Sequence, residues 1–249
     1  MENGPIEVLF LGSGDAFGSG GRFQACISVR TSSDRFLVDC GASSLIPMKR
    51  ARIDPREVSK ILVSHLHGDH FGGIPFFVLD AQLVTKRTGP LTLIGPPGLR
   101  ERVTAAMEVL FPGSATARRN FDLRFVELPP RTATAVDGIV ATAFPVINAC
   151  GATPYALRVE VEGRVIAYSG DTEWTPALVE AARDADLFIC EAYFFEKRTK
   201  GHLDYSTFLS RRGDFSCGRI VVTHMSEDML ARSRGIEDVL AADGLRLSL

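Results

Sequence analysis

The sequence lacks the features that mark secreted, membrane-spanning or disulfide-rich proteins. Its five cysteines are widely spaced, odd in number and free of any Cys-x-x-Cys pair, so we expect neither a disulfide framework nor a structural zinc knuckle. No apolar run approaches the roughly 20 residues that a transmembrane helix needs, and no basic-then-apolar leader opens the chain. We therefore expect a cytoplasmic protein that has no membrane partner.

Concentrated positive charge is also missing. The formal net charge is −2, and basic residues occur as scattered pairs such as Lys86-Arg87, Arg118-Arg119 and Arg211-Arg212. Because proteins that bind a long polyanion usually present a basic patch, a long nucleic acid is disfavoured as a substrate. The 249 residues, of which 45% are hydrophobic, suffice for a large globular core.

Histidine is scarce, but its placement is informative. Three of the five histidines lie within the segment Ser64-His65-Leu66-His67-Gly68-Asp69-His70. His65 and His67 end an apolar run, project to the same side and can bind one divalent ion. Once the chain turns, Asp69 and His70 can face a second ion, at the roughly 3.5–4 Å separation of paired hydrolytic metals. The alternative, solvated loop histidines with accidental spacing, is disfavoured because chance rarely produces this pattern.

Apolar periodicity and turn residues predict strands and helices in two strand-rich halves. We expect one domain of two similar halves, about 1–135 and 136–249, with two sheets face to face and helices outside. Ligands would lie on loops at one rim. The predicted strands are 6–11, 26–30, 35–39, 61–64, 91–94, 121–128, 139–144, 157–161, 164–168, 187–190 and 220–223; the predicted helices are 43–50, 74–84, 99–110 and 175–183, with a helix start near 54–57.

A family resemblance rests on five segments that follow in order along nearly the whole chain. They are Leu11-Gly12-Ser13-Gly14, Val38-Asp39-Cys40-Gly41, Ser64 to Gly73, Tyr168-Ser169-Gly170-Asp171-Thr172 and Thr223-His224. Together they resemble the metallo-β-lactamase superfamily, in particular its branch of ribonuclease Z and similar small phosphodiesterases. The resemblance implies an α/β fold, the four-layer αββα sandwich. It also implies one or two zinc ions, or manganese, and hydrolysis by a hydroxide that the metal activates.

The resemblance assigns roles to further residues. Asp171, at the end of a predicted strand, would bridge the two ions, and His224 would complete the ion site of Asp69 and His70. Asp69 would also serve as a catalytic base, and His202 would stabilise the scissile phosphate or protonate the leaving oxygen. The alternatives are a helix-start aspartate at 171, a structural histidine at 224 and a solvated loop histidine at 202.

One position departs from the family pattern. The family has a third histidine for the first ion in a stretch similar to Phe144-Pro145-Val146-Ile147-Asn148, and this chain places Asn148 there. An amide oxygen is a weak zinc ligand, so the ion at His65 and His67 would lose affinity. Cys150 is a candidate substitute ligand, although a small buried residue is the simpler interpretation.

Three functions remain open from the sequence. The first is a metal-dependent phosphodiesterase for a small cyclic phosphate or nucleotide ester, because the chain has no counterpart of the basic, glycine-rich arm with which ribonuclease Z binds tRNA. The second is a hydrolase of a lactone, ester or thioester at the same site. The third is a metal-binding or ligand-binding protein with a degenerate site. A homodimer, the usual state of the relatives, is compatible with all three.

Overall fold

The computed structural model describes residues 4–249 and consists of two stacked β-sheets with helices on both outer faces. The strands are β1 (Glu7–Gly12), β2 (Cys26–Arg30), β3 (Arg35–Val38), β4 (Val58–Leu62), β5 (Leu91–Gly95), β6 (Leu123–Glu127), β7 (Thr134–Val136), β8 (Ile139–Pro145), β9 (Tyr155–Val161), β10 (Arg164–Tyr168), β11 (Ala185–Glu191), β12 (Cys217–Thr223), β13 (Val239–Leu240) and β14 (Arg246–Ser248). The helices are α1 (Leu45–Arg50), α2 (Gly68–Phe71), α3 (Ile74–Leu83), α4 (Leu99–Leu110), α5 (Ala177–Ala182), α6 (Tyr205–Ser210) and α7 (Glu227–Ala231), with short 3-10 turns at Ser19–Gly21, Pro55–Glu57 and Arg212–Asp214.

Each sheet has seven strands and mixes antiparallel with parallel pairs. The first sheet has the order β14-β1-β2-β3-β4-β5-β6, and the second has the order β13-β12-β11-β10-β9-β8-β7. Strands β3 to β6 are parallel to one another, and so are β10 to β13. Because the carboxyl ends of parallel strands meet at one edge, the loops that follow them are brought together.

Alternation along the strands builds the layers. In β1, Val8 and Phe10 join the cluster between the sheets, whereas Leu9 and Leu11 join the cluster beneath the first layer of helices. The outer cluster of the first sheet includes Met48, Phe77 and Val103 from α1, α3 and α4, and that of the second includes Leu178, Phe208 and Met229 from α5, α6 and α7. The predicted αββα sandwich is confirmed.

The predicted boundary between the two halves does not separate the strands of one sheet from those of the other. The boundary expected at about residue 135 falls inside β7, and β14 returns to the first sheet, where Ser248 pairs with Glu7 of β1. The first sheet is therefore built from both ends of the described chain. Strands β7, β13 and β14 span three, two and three residues, too few to show a periodic pattern, and the short helices α2, α6 and α7 were likewise not predicted.

Within residues 4–249, no helix is both long enough and apolar enough to cross a lipid bilayer.

Candidate metal centre

The six side chains predicted as metal ligands lie together at the carboxyl edge of the sheets. They form two groups that share Asp171, and in each group the potential ligand atoms lie within 4.8 Å of one another. One group is His65, His67 and Asp171, and the other is Asp69, His70, Asp171 and His224. The structure therefore brings these side chains together, and their role as metal ligands stays a prediction.

Asp171 lies at the centre of the arrangement. Its Oδ2 is 3.6 Å from His65 Nε2, 3.2 Å from His70 Nε2 and 3.3 Å from His224 Nε2. These residues come from the segments that follow β4, β10 and β12, with His70 in α2, and all four side chains are buried. His224 has a left-handed backbone with φ of 57°, which is unusual for a residue with a side chain and typical of a position that the surrounding structure constrains.

The histidine segment follows β4 as expected. The strand ends at Leu62, and α2 begins at Gly68, directly after His67. Asp69 and His70 lie in the single turn of this helix, and the ring of His70 lies beside that of His65, with centroids 4.0 Å apart. Asp69 Oδ2 lies 3.4 Å from His70 Nε2 and 3.9 Å from His224 Nε2, and so belongs to the second group.

Asp39 orients two of the histidines from beneath the site. Its Oδ2 accepts hydrogen bonds from His70 Nδ1 at 2.6 Å and from Ser64 Oγ at 2.8 Å, and its Oδ1 accepts from Ser64 N at 2.8 Å. Ser64 Oγ in turn lies 3.0 Å from His65 Nδ1. Because Nδ1 of His70 is engaged, its Nε2 faces the site, the arrangement by which outer residues orient metal-binding histidines. The sequence contained Asp39 only as part of a family segment, and nothing local indicated this contact.

The nitrogen and oxygen atoms that face the centre of the site suit a cation as ligands. Asp171 Oδ1 is buried and has no hydrogen-bond partner among the described residues. A buried polar atom without a partner costs roughly 1–3 kcal/mol, which coordination of a metal would offset. Imidazole and carboxylate groups are also common zinc ligands. The residues present therefore fit a divalent metal.

The charges of the site also favour a cation. Burial opposes ionisation of Asp171, but His224, His70 and His65 hold its pKa well below the usual range. Burial lowers the pKa of His65 and of His224, so both favour the neutral form that binds metals. Burial also acts to lower the pKa of His70, but the carboxylates of Asp171, Asp69 and Asp39 outweigh it and raise this pKa well above the usual value, so they favour a positive charge here.

A glutamate and a histidine form a pair beside the two groups. His202 Nδ1 lies 3.1 Å from Glu191 Oε2 and 3.9 Å from Asp171 Oδ2. The ring of Tyr193 stacks on His202 with centroids 4.5 Å apart. Burial raises the pKa of Glu191 to about 8; burial acts to lower the pKa of His202, but the hydrogen bond with Glu191 outweighs it and raises this pKa to about 9. Sequence reasoning did not find Glu191, because it only ends an apolar strand.

A cleft of about 460 Å³ adjoins the site and is lined by His67, His202 and Asn148, with Ile147 and Lys200 among the other lining residues. The side chain of Ile147 is 49% exposed, so the cleft has an accessible apolar wall. This volume is within the range of small-molecule sites.

The two candidate substitute ligands have other contacts. Asn148 Nδ2 donates to Gly201 O at 2.8 Å, and its Oδ1 is buried without a hydrogen-bond partner in the described structure. Cys150 is buried, and its Sγ lies 3.3 Å from Ala152 O. Over residues 4–249, the groups of side chains that could hold a metal include no cysteine. The structure thus places Asn148 at the cleft and leaves Cys150 outside both groups.

Comparison with known proteins identifies the family. The family described as "Anti-Pycsar protein Apyc1" matches residues 6–238. The chain belongs to this family. Among curated proteins, ribonuclease Z of Bacillus thuringiensis is 26% identical over 278 aligned positions, which cover 89% of this chain and 89% of that protein.

Solved structures show the same fold. YhfI from Bacillus subtilis, a metallo-β-lactamase fold protein, superimposes with a TM-score of 0.80 at 18% identity and covers 98% of this chain and 99% of its own. The short form of human tRNase Z has a TM-score of 0.78 at 25% identity and covers 97% of this chain and 98% of its own. The predicted resemblance to the metallo-β-lactamase superfamily is confirmed, and so is the prediction of a metallo-hydrolase.

Proposed function

We propose that the protein is a metal-dependent phosphodiesterase that cleaves a small phosphate ester, such as a cyclic phosphate or a nucleotide ester. The observation that carries this proposal is the convergence on Asp171 of two potential metal-binding groups and of the Glu191–His202 pair. A phosphodiester accumulates negative charge on several oxygens during hydrolysis, and two cations with a nearby hydrogen-bond donor suit that distribution.

The two groups around Asp171 would each hold one ion, and their imidazole and carboxylate donors suit zinc, with manganese as the alternative. When bound, such ions supply Lewis acidity and lower the pKa of a coordinated water. The group with His70 has four potential ligands and the group with His65 has three. The second ion site should therefore be the tighter one.

The protein's own side chains would carry the proton transfers. Asp69 is ionised, since His70 holds its pKa below the usual range despite burial, and it would orient the attacking water and accept its proton. Glu191 engages Nδ1 of His202, which leaves Nε2 as the nitrogen that can reach a substrate. His202 would stabilise a phosphoryl oxygen or protonate the leaving oxygen.

The cleft supports a small substrate. Its volume of about 460 Å³ suits a molecule of mononucleotide size, and its apolar wall at Val146 and Ile147 offers contact for a base or sugar. Among the residues that line the cleft, Lys200 carries a fixed positive charge, which suits one phosphate group. A long nucleic acid would need an extended basic surface.

The test compares substrates and one variant. The zinc-loaded protein is assayed with bis-p-nitrophenyl phosphate, with nucleoside cyclic monophosphates and with a panel of lactones and thioesters. We expect phosphodiester cleavage, and His202→Ala should slow cleavage of the nucleoside cyclic monophosphates, whose leaving oxygen needs a proton, by about 10²–10⁴-fold, the usual contribution of a general acid. Turnover of lactones alone, or a His202→Ala variant as active as the wild type on the cyclic monophosphates, would contradict the proposal.

A further inference from the structure

The turn that carries His202 is held by side chains from two other loops. Asn148 Nδ2 donates to Gly201 O at 2.8 Å, and Glu173 Oε1 accepts from Gly201 N at 3.1 Å. Both backbone polar groups of the residue before His202 are therefore bonded to side chains, and Gly201 itself is buried. Asn148 and Glu173 follow β8 and β10, so the contact joins parts of the chain that are distant in sequence.

The backbone of this turn fits these contacts closely. Gly201 has φ of 79°, in the left-handed region that favours glycine. A Cβ at this position would lie 3.1 Å from Asn148 Nδ2, so a larger residue would press on the asparagine. Thr199 and His202 also pair as an isolated antiparallel bridge, which closes the turn from within.

The same two loops also hold the ring of His202 through Glu191. Glu173 N donates to Ile147 O at 3.0 Å, and Ile147 N donates to Thr172 Oγ1 at 3.0 Å, so the loops are bonded to each other. Thr172 N donates to Glu191 Oε1, whose other oxygen lies 3.1 Å from His202 Nδ1. His202 is thus held through its backbone and through its ring by one connected set of hydrogen bonds.

The direction of the Asn148 contact assigns the NH₂ half of this side chain to the turn. A carbonyl oxygen only accepts hydrogen bonds, so Asn148 must present its NH₂ group to Gly201. That half of the amide cannot bind a cation, whereas the other half, Oδ1, is buried without a hydrogen-bond partner in the described structure. We propose that Asn148 and Glu173 are positioning residues that hold His202 over the metal centre, with Asn148 acting on this turn through its NH₂ group. This inference rests on the proposed role of His202 in phosphodiester cleavage.

Substitution of Asn148 by aspartate distinguishes the two roles. Asn148→Asp keeps the size of the side chain, removes the donor to Gly201 O and adds a carboxylate. A positioning role predicts weaker catalysis with unchanged zinc content, whereas a ligand role predicts tighter zinc binding and retained activity. Glu173→Ala removes the acceptor for Gly201 N, and Glu173→Gln keeps an oxygen there and should restore function.

The activity readout is the dependence on the leaving group. Displacement of His202 should slow the cleavage of a phosphodiester that has a phenyl leaving group more than that of one with a p-nitrophenyl leaving group, because p-nitrophenolate departs without a proton. For Asn148→Asp and Glu173→Ala we expect the rate of cleavage to fall about 100-fold with the phenyl ester and much less with the p-nitrophenyl ester. A fall of this size is typical when a reacting group is misplaced by about 1 Å. Asn120→Ala, at an exposed asparagine, is the matched control.

A second readout does not depend on activity. Hydrogen exchange of the Gly201 amide in the zinc-loaded protein should become faster in Glu173→Ala and remain near the wild-type rate in Glu173→Gln. Unchanged exchange in Glu173→Ala would overturn the inference, whether or not the protein cleaves phosphodiesters. So would higher zinc affinity with full activity in Asn148→Asp. Equal losses with both leaving groups would support the positioning role and assign His202 to a phosphoryl oxygen rather than to the leaving oxygen. A wild-type protein without phosphodiesterase activity but with the expected exchange would instead refute the proposed function.

Discussion

The contact between Asp39 and His70 leads to a prediction about metal affinity. Asp39→Asn replaces the carboxylate by an amide of the same shape, so it leaves no cavity. Asp39 has φ of 58°, and asparagine tolerates this left-handed conformation at least as well as aspartate. The substitution therefore isolates the effect of the carboxylate on the site.

The magnitude follows from the three hydrogen bonds that Asp39 accepts, one from His70 and two from Ser64. An asparagine has one oxygen, so its NH₂ group must face at least one buried donor, which costs about 1–3 kcal/mol in the free energy of unfolding. Loss of such an orienting partner typically lowers metal affinity by about 10–100-fold. That range corresponds to about 1.4–2.7 kcal/mol of binding free energy.

The assay is a competition titration of zinc against a chromophoric chelator, with urea unfolding of the chelator-treated protein as the stability measurement. We expect the zinc dissociation constant of Asp39→Asn to rise by one to two orders of magnitude. Asp122→Asn, at a side chain that is 75% exposed, is the matched control and should bind zinc like the wild type. If Asp39→Asn lowers stability but leaves zinc affinity within about threefold of the wild type, the orienting role is refuted and Asp39 is a structural residue.

Three further predictions concern the metal centre and the core. Gly41→Ala should lower the zinc content, measured by emission spectroscopy, because the added Cβ would lie 2.3 Å from Asp69 O. Gly89→Ala is the control, since no atom lies within 4 Å of the Cβ added there. Equal zinc content in both variants would refute this reasoning. Zinc titration of the wild type by calorimetry should show two phases, since one group offers four ligands and the other three, and a single phase with two equivalent ions would contradict this expectation. Phe188→Ala should lower the free energy of unfolding by about 3–5 kcal/mol in urea, because this ring is fully buried beneath the helices of the second sheet. Leu83→Ala, at a side chain that is 55% exposed, should change it little, and similar losses in both variants would show that the assigned core is wrong.

Features that depend on neighbours in the chain were accessible from the sequence. The apolar run that ends at Gly12 predicted a strand over residues 6–11, and the structure places its successive side chains in two different apolar clusters. The spacing of the clustered histidines likewise predicted two ligand groups, since it depends only on the end of one strand and one turn. Asp171 and His224 were found because family segments marked them.

Features that depend on which strands are neighbours were not accessible. Glu191 ends an apolar strand, and only the parallel pairing of β10 with β11, in which Tyr168 lies opposite Ile189, brings it beside the loop of Asp171. Strand β14 is three residues long and forms because β1 offers a free edge. Neither position has a local pattern that predicts its partner.

Asn148 separates the two kinds of information most clearly. The sequence by itself determined that an amide stands at position 148, and the family resemblance predicted from it that the first ion site would have one ligand fewer. Only the tertiary structure decided what the amide does instead, because its partner, Gly201 O, lies 53 positions further along the chain. A side chain's hydrogen-bond partner depends on how distant loops pack, and that packing is a property of the whole sandwich rather than of any segment.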